Sequence, residues 1–288
     1  MATVSAATVW RDLRLIRKNS PLVHNITNYV VMNSTANALL ALGASPVMAH
    51  APEEVEEMTG LASALVINIG TLSRAWVESM FLAAAAANKK GIPVVFDPVG
   101  AGATRLRTDT ARRFLKEIRP AVVRANASEV RALASTERAT KGVDSRHGAA
   151  EAVEAGRSIV REFGCVVSIS GAVDIIIGPE NDCLQVENGH PLMPRVTGMG
   201  CAATALTGAF AAVSGSPFGA AAGAMVVMGI AGELAALKAE GPGSFQPAFL
   251  DALFRLGRND IEERIKVRLS EEPPGPGRSP VRRGRRTK

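Results

Sequence analysis

The feature that most constrains this fold is a series of short apolar runs, each ending in polar residues. Ala64-Leu65-Val66-Ile67-Asn68-Ile69 stops at Gly70, and Ile92-Pro93-Val94-Val95-Phe96 runs into Asp97-Pro98. Ala121-Val122-Val123-Arg124 leads to Asn126, and Cys165-Val166-Val167-Ser168-Ile169-Ser170 leads to Gly171. Runs this apolar belong to strands covered on both faces, and parallel strands of that kind need crossover helices. Helical patterns fill the gaps, from a Ser73 cap through residues 83–87 to Gly91, then at 108–119 and at 148–163. Upstream, residues 27–42 carry helical spacing in Tyr29, Val30, Asn33, Asn37 and Leu40 and stop at Gly43. A strand at 45–49 follows, and Pro52 opens a helix whose Glu53, Glu54, Glu56 and Glu57 suit a helix N-terminus. Residues 174–178 and 183–187 read as a hairpin around 179–182, and from Gly200 to about Val267 the pattern is helical with breaks at 214–217 and 241–243.

The predicted fold is therefore α/β, a mostly parallel central sheet flanked by helices with a helical C-terminal third. Residues 1–270 form one domain in this reading, and 271–288 a disordered basic tail rich in Pro, Gly and Arg. Aromatics make up only 4% of the chain, which suits helices on a parallel sheet better than a β-sandwich. The formal net charge of +6 equals the contribution of Arg278, Arg282, Arg283, Arg285, Arg286 and Lys288 alone. The remaining body is neutral, so no specific nucleic-acid partner is expected. Cys165, Cys183 and Cys201 are an odd set without Cys-x-x-Cys spacing, which argues against a disulfide framework and structural zinc. The first dozen residues lack a signal-type apolar core, and 202–212 is too short to span a bilayer. A soluble, cytoplasmic protein with no membrane partner is the expectation.

Ligands of open parallel sheets bind beyond the carboxyl ends of the strands. Asp97 and Glu129 there are candidates to hold Mg²⁺ directly or through water, Arg124 to neutralise phosphate, and Ser170 to hydrogen-bond it. Each also has a structural reading: Asp97 capping a turn, Glu129 facing solvent, Arg124 in a surface ion pair. Gly198-Met199-Gly200-Cys201, running into Ala202-Ala203-Thr204-Ala205, looks like an anion cradle at a helix start with a thiol in its first turn. Taken alone it reads more readily as a tight turn and a packed cysteine. Competing nucleotide signatures fail: Gly100-Ala101-Gly102 meets Arg105 where a third glycine belongs, and there is no Gly-x-x-x-x-Gly-Lys-Ser/Thr. His24, His50, His147 and His190 have no metal-ligand spacing.

Six ordered motifs across residues 8–267 resemble the hydroxyethylthiazole kinases of thiamine salvage. They are His24-Asn25-Ile26-Thr27-Asn28, Asn68-Ile69-Gly70-Thr71-Leu72, Asp97-Pro98-Val99-Gly100-Ala101-Gly102, Asn126-Ala127-Ser128-Glu129, Lys141-Gly142-Val143-Asp144-Ser145 and Gly198-Met199-Gly200-Cys201. The resemblance implies a ribokinase-like fold, use of ATP and Mg²⁺ to phosphorylate the thiazole alcohol, and a homotrimer binding substrate between subunits. It implies Met48, Gly198 and Asn25 as substrate contacts, Arg124 and Ser170 as nucleotide contacts, and Asp97 and Glu129 as metal-associated acids. Ser170 stands where the family often has Thr, which keeps the hydroxyl. The substrate hydroxyl is expected to lie between Cys201, acting as base, and the γ-phosphate; many sugar kinases of this fold carry Asp at the position of Cys201. A free thiol with a pKa near ~8.5 serves poorly at neutral pH unless the helix terminus lowers it. The alternative on the same fold is an ATP-dependent NAD(P)H-hydrate dehydratase.

Overall fold

The computed structural model describes residues 4–134, 145–180 and 182–269. Residues 141–144 of the Lys141 motif, Asn181 in the hairpin turn and the basic tail lie outside them.

Nine strands form one sheet in the order β2-β1-β3-β4-β5-β6-β7-β8-β9. They are β1 (Leu22–Ile26), β2 (Ser45–Val47), β3 (Ala64–Asn68), β4 (Val94–Asp97), β5 (Val122–Asn126), β6 (Val166–Ser170), β7 (Asp174–Ile177), β8 (Cys183–Val186) and β9 (Val267–Leu269). Pairing is parallel from β2 through β6 and antiparallel from β6 to β9. Strand order reverses between β1 and β3, so the crevice of a doubly wound sheet opens at their carboxyl ends.

Two apolar layers enclose the sheet. One packs α3 (Val55–Leu61), α4 (Arg74–Lys90), α5 (Arg105–Ile118), α6 (Ala127–Ala134) and α7 (Ser145–Phe163) over Leu65, Ile67, Val94, Phe96, Val123 and Val167. The other packs α1 (Ala6–Asn19), α2 (Met32–Leu42), α8 (Met199–Ala211), α9 (Pro217–Ala236), α10 (Pro242–Arg255) and α11 (Arg258–Arg264) over Val23, Val66, Val95, Val122 and Val166. Side chains alternate along a strand, so Asn68, Asp97, Arg124 and Ser170 fall on the same face as Val66, Val95, Val122 and Val166, beneath α8 and α9. α9 is long and apolar enough to cross a membrane, but it is buried nearly all round inside the fold. Its small residues explain the fit: at Gly229 a Cβ would sit 2.5 Å from Asn188, and at Gly232 it would strike the Met193 sulfur.

Most predicted elements stand, with Ser73 capping α4 and Gly91 ending it at a φ of 77°. Four differ. The helix expected over 27–42 starts only at Met32, because the chain leaving β1 turns first: Asn28 Oδ1 accepts the Val30 amide at 3.1 Å, an Asx turn. Tyr29 and Val30 belong to that turn and are 63% and 71% exposed, so their apparent helical spacing was coincidental. β1 and α1 were not anticipated, since Leu22-Val23-His24-Asn25-Ile26 mixes two buried polar residues into a strand. The helical C-terminal third ends in a short strand, β9, which pairs with β8.

Candidate active site

At the carboxyl end of the sheet the switch point holds a connected polar cluster. Asn28 Nδ2 donates to Asn68 Oδ1 at 2.9 Å, and Asn68 Nδ2 donates to Asp97 Oδ2 at 2.8 Å and to Cys201 Sγ at 3.2 Å. Asn28 Nδ2 also reaches Cys201 Sγ, at 3.5 Å. From α8 the Thr204 hydroxyl donates to Asp97 Oδ2 at 2.7 Å. Burial pushes the Asp97 carboxyl up to about 6, against the pull of Arg124 and the Thr204 bond and with the repulsion of Glu129. The Cys201 thiol is also raised, first by burial and then by Asp97, although the two asparagines and Arg124 oppose this. The helix terminus therefore does not produce a thiolate; desolvation and the neighbouring acid outweigh it.

The start of α8 is built for close approach. Gly198 caps it at a φ of 84°, where a Cβ would also strike Val31 Cγ1 at 2.7 Å. No side chain caps the helix, so its first amides are free for a ligand. At Gly200 a Cβ would stand 3.2 Å from Arg124 Nη1, so the guanidinium lies against the helix's first turn. Arg124 is 8% exposed and its buried Nε has no partner. Two positive features, a guanidinium and a helix N-terminus, thus face each other, an arrangement that calls for an anion.

That anion has room. A cavity of about 860 Å³ is lined by Arg124, Ser170, Asp174, Gly200, Met225 and Met228, among others. Its wall near His190, Pro191 and Met193 is contributed by the segment leaving β8. A second cavity of about 350 Å³ sits at the opposite ends of the strands, by Ile92 and Pro217, and has no titratable residue in its lining.

The remaining predicted residues fall into place unevenly. Glu129 is buried, and both its oxygens accept backbone amides, Gly100 at 2.8 Å and Asn126 at 2.9 Å; it does not face solvent. Asp97 accepts side-chain donors instead of capping a turn, and Arg124 forms no ion pair among the described residues. Ser170 lines the cavity with its hydroxyl 3.4 Å from Ala125 O. Met48 follows β2 at the sheet edge, half-buried, away from that cavity. Asn25 shares Val23's face of β1, is 0% exposed and donates its amide to Val23 O at 2.9 Å, while its buried Oδ1 has no partner. Asn28, Asn68 and Thr204 were given no role from the sequence, although Asn68 stands among the polar strand ends and Asn28 and Asn68 sit inside the motifs; the signal was their position just beyond β1 and at the end of β3. Among the described residues no group of three or more His, Cys, Asp or Glu is arranged to hold a metal ion, so any cation there leans on two acids.

Comparison with known proteins agrees with this geometry. The sequence pattern of the Hydroxyethylthiazole kinase family matches residues 13–259. The chain is 57% identical to hydroxyethylthiazole kinase of Oleidesulfovibrio alaskensis, over 90% of this chain and 97% of that one. It is 56% identical to that of Syntrophus aciditrophicus, over 93% and 99%. The solved hydroxyethylthiazole kinase protein from Pyrococcus horikoshii OT3 superposes with a TM-score of 0.85 at 47% identity, covering 92% of this chain and all of that one. Pyridoxal kinase from Staphylococcus aureus, at 16% identity and a TM-score of 0.63 over 88% and 99%, shares the ribokinase-like fold. With a family pattern that spans residues 13–259 and two relatives at 57% and 56% identity over nine-tenths of its length, the chain belongs to the hydroxyethylthiazole kinase family.

Proposed function

We propose that this kinase transfers the γ-phosphoryl group of ATP to the hydroxyl of 4-methyl-5-(2-hydroxyethyl)thiazole. The nucleotide lies on the β5–β7 side of α8 and the alcohol on the β1–β2 side. The observation that carries this division is Arg124, a buried guanidinium with an unpartnered Nε on the wall of the large cavity, pressed against Gly200 one residue from Cys201. A polyphosphate along that wall supplies the missing anion and delivers its terminal group to the first turn of α8. Ser170 adds a hydroxyl on the same wall. The family assignment sets aside the dehydratase alternative.

Asp97 and Glu129 fit a hard cation: two buried carboxylates close enough for Glu129 to raise Asp97. They are the residues that would hold Mg²⁺, which when bound neutralises phosphate charge. The chain's own contribution is positional. Free amides of residues 198–201 meet charge developing on the transferred group, and Met48 and Gly198 flank the alcohol. Cys201 orients the hydroxyl, its sulfur held by Asn28 and Asn68, and in its thiolate form, the minor one at neutral pH, takes the proton late, when the forming O–P bond has made the alcohol acidic. Asn25 acts from beneath, as part of the floor under α8. The substrate lies between subunits of a homotrimer, a reading supported by Tyr29 and Val30 standing exposed beside Asn28. None of the three cysteines is in a disulfide, which fits the cytoplasm.

Purified protein, Mg-ATP and the thiazole alcohol should release ADP and yield a product heavier by one phosphoryl group, with a trimer by light scattering. ADP release without phosphorylated thiazole would overturn the assignment.

A further inference from the structure

Arg107, in the first turn of α5, makes no ion pair among the described residues and spends its guanidinium on carbonyls. Nη1 donates to Ile69 O at 2.9 Å and to Val99 O at 2.7 Å, and Nη2 donates to Gly70 O at 2.8 Å. Its stem lies on Gly100, where a Cβ would meet Arg107 Cδ at 3.0 Å and where φ is 76°. One fork thus ties the loop after β3 to the loop after β4.

The other ends of two of these peptide groups lead into the site. The Ile69–Gly70 peptide gives its carbonyl to Arg107 and its N–H to Asn68 Oδ1, at 2.9 Å. That bond fixes which way the Asn68 amide faces, and so points Nδ2 at Cys201 Sγ and Asp97 Oδ2. The Val99–Gly100 peptide gives its carbonyl to Arg107 and its N–H to Glu129 Oε1, at 2.8 Å. A cation at the carbonyl end polarises a peptide and strengthens the bond that its N–H donates.

The geometry points to Arg107 as a positioning residue for phosphoryl transfer, one that sets the Asn68–Cys201 arm and the Asp97–Glu129 arm from a single guanidinium. This rests on the roles proposed above for those arms. Nη1 bridges the two loops and Nη2 adds Gly70 O, a three-carbonyl set that lysine's single Nζ cannot reproduce with the same planar geometry.

Arg107→Met should lower kcat about 100-fold, the scale of an ångström of misplacement, while the KM for ATP moves less than about threefold. Combined with Asn68→Ala, the loss should fall well short of the product of the two single losses. Arg107→Lys should regain only a small part of the rate, and it carries the test if the Met variant does not fold. Hydrogen exchange adds a readout independent of activity: amides of Gly70 and Gly100 should exchange faster in both variants, while those of β3 to β6 keep their rates. Wild-type kcat in either variant overturns the proposal, as does exchange that rises uniformly across the sheet. If wild type shows no thiazole phosphorylation yet exchange loosens only at the two loops, the positioning stands and the functional reading fails.

Discussion

Two polar clusters lie on opposite faces of the sheet, and they differ in how well they are satisfied. On the α3 side His24 is wholly buried, with Nδ1 at 2.9 Å from Thr59 Oγ1 and Nε2 at 2.8 Å from Ala49 O. Thr59 also reaches Val55 O at 2.7 Å, so a neutral ring donates from Nε2 and shares the Thr59 hydroxyl. On the α8 side Asp97 is buried and Cys201 half-buried; both titrate upward in spite of their side-chain donors, and Arg124 Nε beside them has no partner. A satisfied cluster stabilises a fold, whereas an unsatisfied one stores an interaction for something that has yet to bind.

The largest test of that contrast is Asp97→Asn. Activity should fall on the order of 1,000-fold, the scale of losing one preorganised charge contact in phosphoryl transfer. Stability should move the other way. The folded pKa of Asp97, about 6, lies above that of a free carboxyl, so the fold binds the extra proton between the two values. Its contribution is therefore fully present in acid and is lost as pH rises toward and past 6. The isosteric amide escapes this penalty and should be more stable by about 2–3 kcal/mol at pH 8, with the gap closing in acid below the free-carboxyl pKa. Denaturant unfolding of both proteins across that range measures it. A variant less stable than wild type at pH 8 would mean that Asp97 is paid for within the protein after all.

Cys201→Ala comes next, with turnover down about 100-fold and the KM for ATP within about twofold. Burial and Asp97 hold the thiol above its ordinary value, so wild-type turnover should still be climbing on the alkaline side of neutrality. The alanine variant should lack that limb. Unchanged turnover removes the base assignment, and a limb that survives in the variant moves it to another group.

Much of this cluster was legible in the chain, for a physical reason. Strand alternation puts residues two apart on one face, so Val66 and Asn68, Val95 and Asp97, Val122 and Arg124 announce a shared wall as soon as the apolar runs are read as buried parallel strands. The glycines around Met199 announce close approach. Less visible was how the wall is finished. The Asn28 turn broke a helical pattern that ran through Tyr29 and Val30, because an Asx bond is a local choice that periodicity does not record. β1 hid behind its own buried His24 and Asn25. Arg107 hid most completely: its partners are backbone carbonyls of two loops 29 or more residues apart in sequence, and carbonyls have no sequence signature.

His24→Phe should produce the smallest effect and the most discriminating one, because it asks whether the satisfied cluster is only structural. The ring fills similar space but leaves Ala49 O without its donor, a loss of about 1–2 kcal/mol in stability, while kcat stays at the wild-type value. The acid response separates the two clusters further. Burial lowers the His24 pKa despite the Ala49 bond and the charge of Glu54, so the unfolded chain takes up this proton before the fold does. The His24 contribution is then complete above the free-histidine pKa near ~6.5 and drains away as pH falls toward the folded value, opposite in sign to Asp97. Subtracting the variant's stability curve from the wild type's should isolate a slope that rises with pH by at most about 1.4 kcal/mol per unit, one proton's worth. A flat difference between pH 5 and 7 would show that His24 is not held neutral, and a tenfold fall in kcat would move it from the structural cluster into the catalytic one.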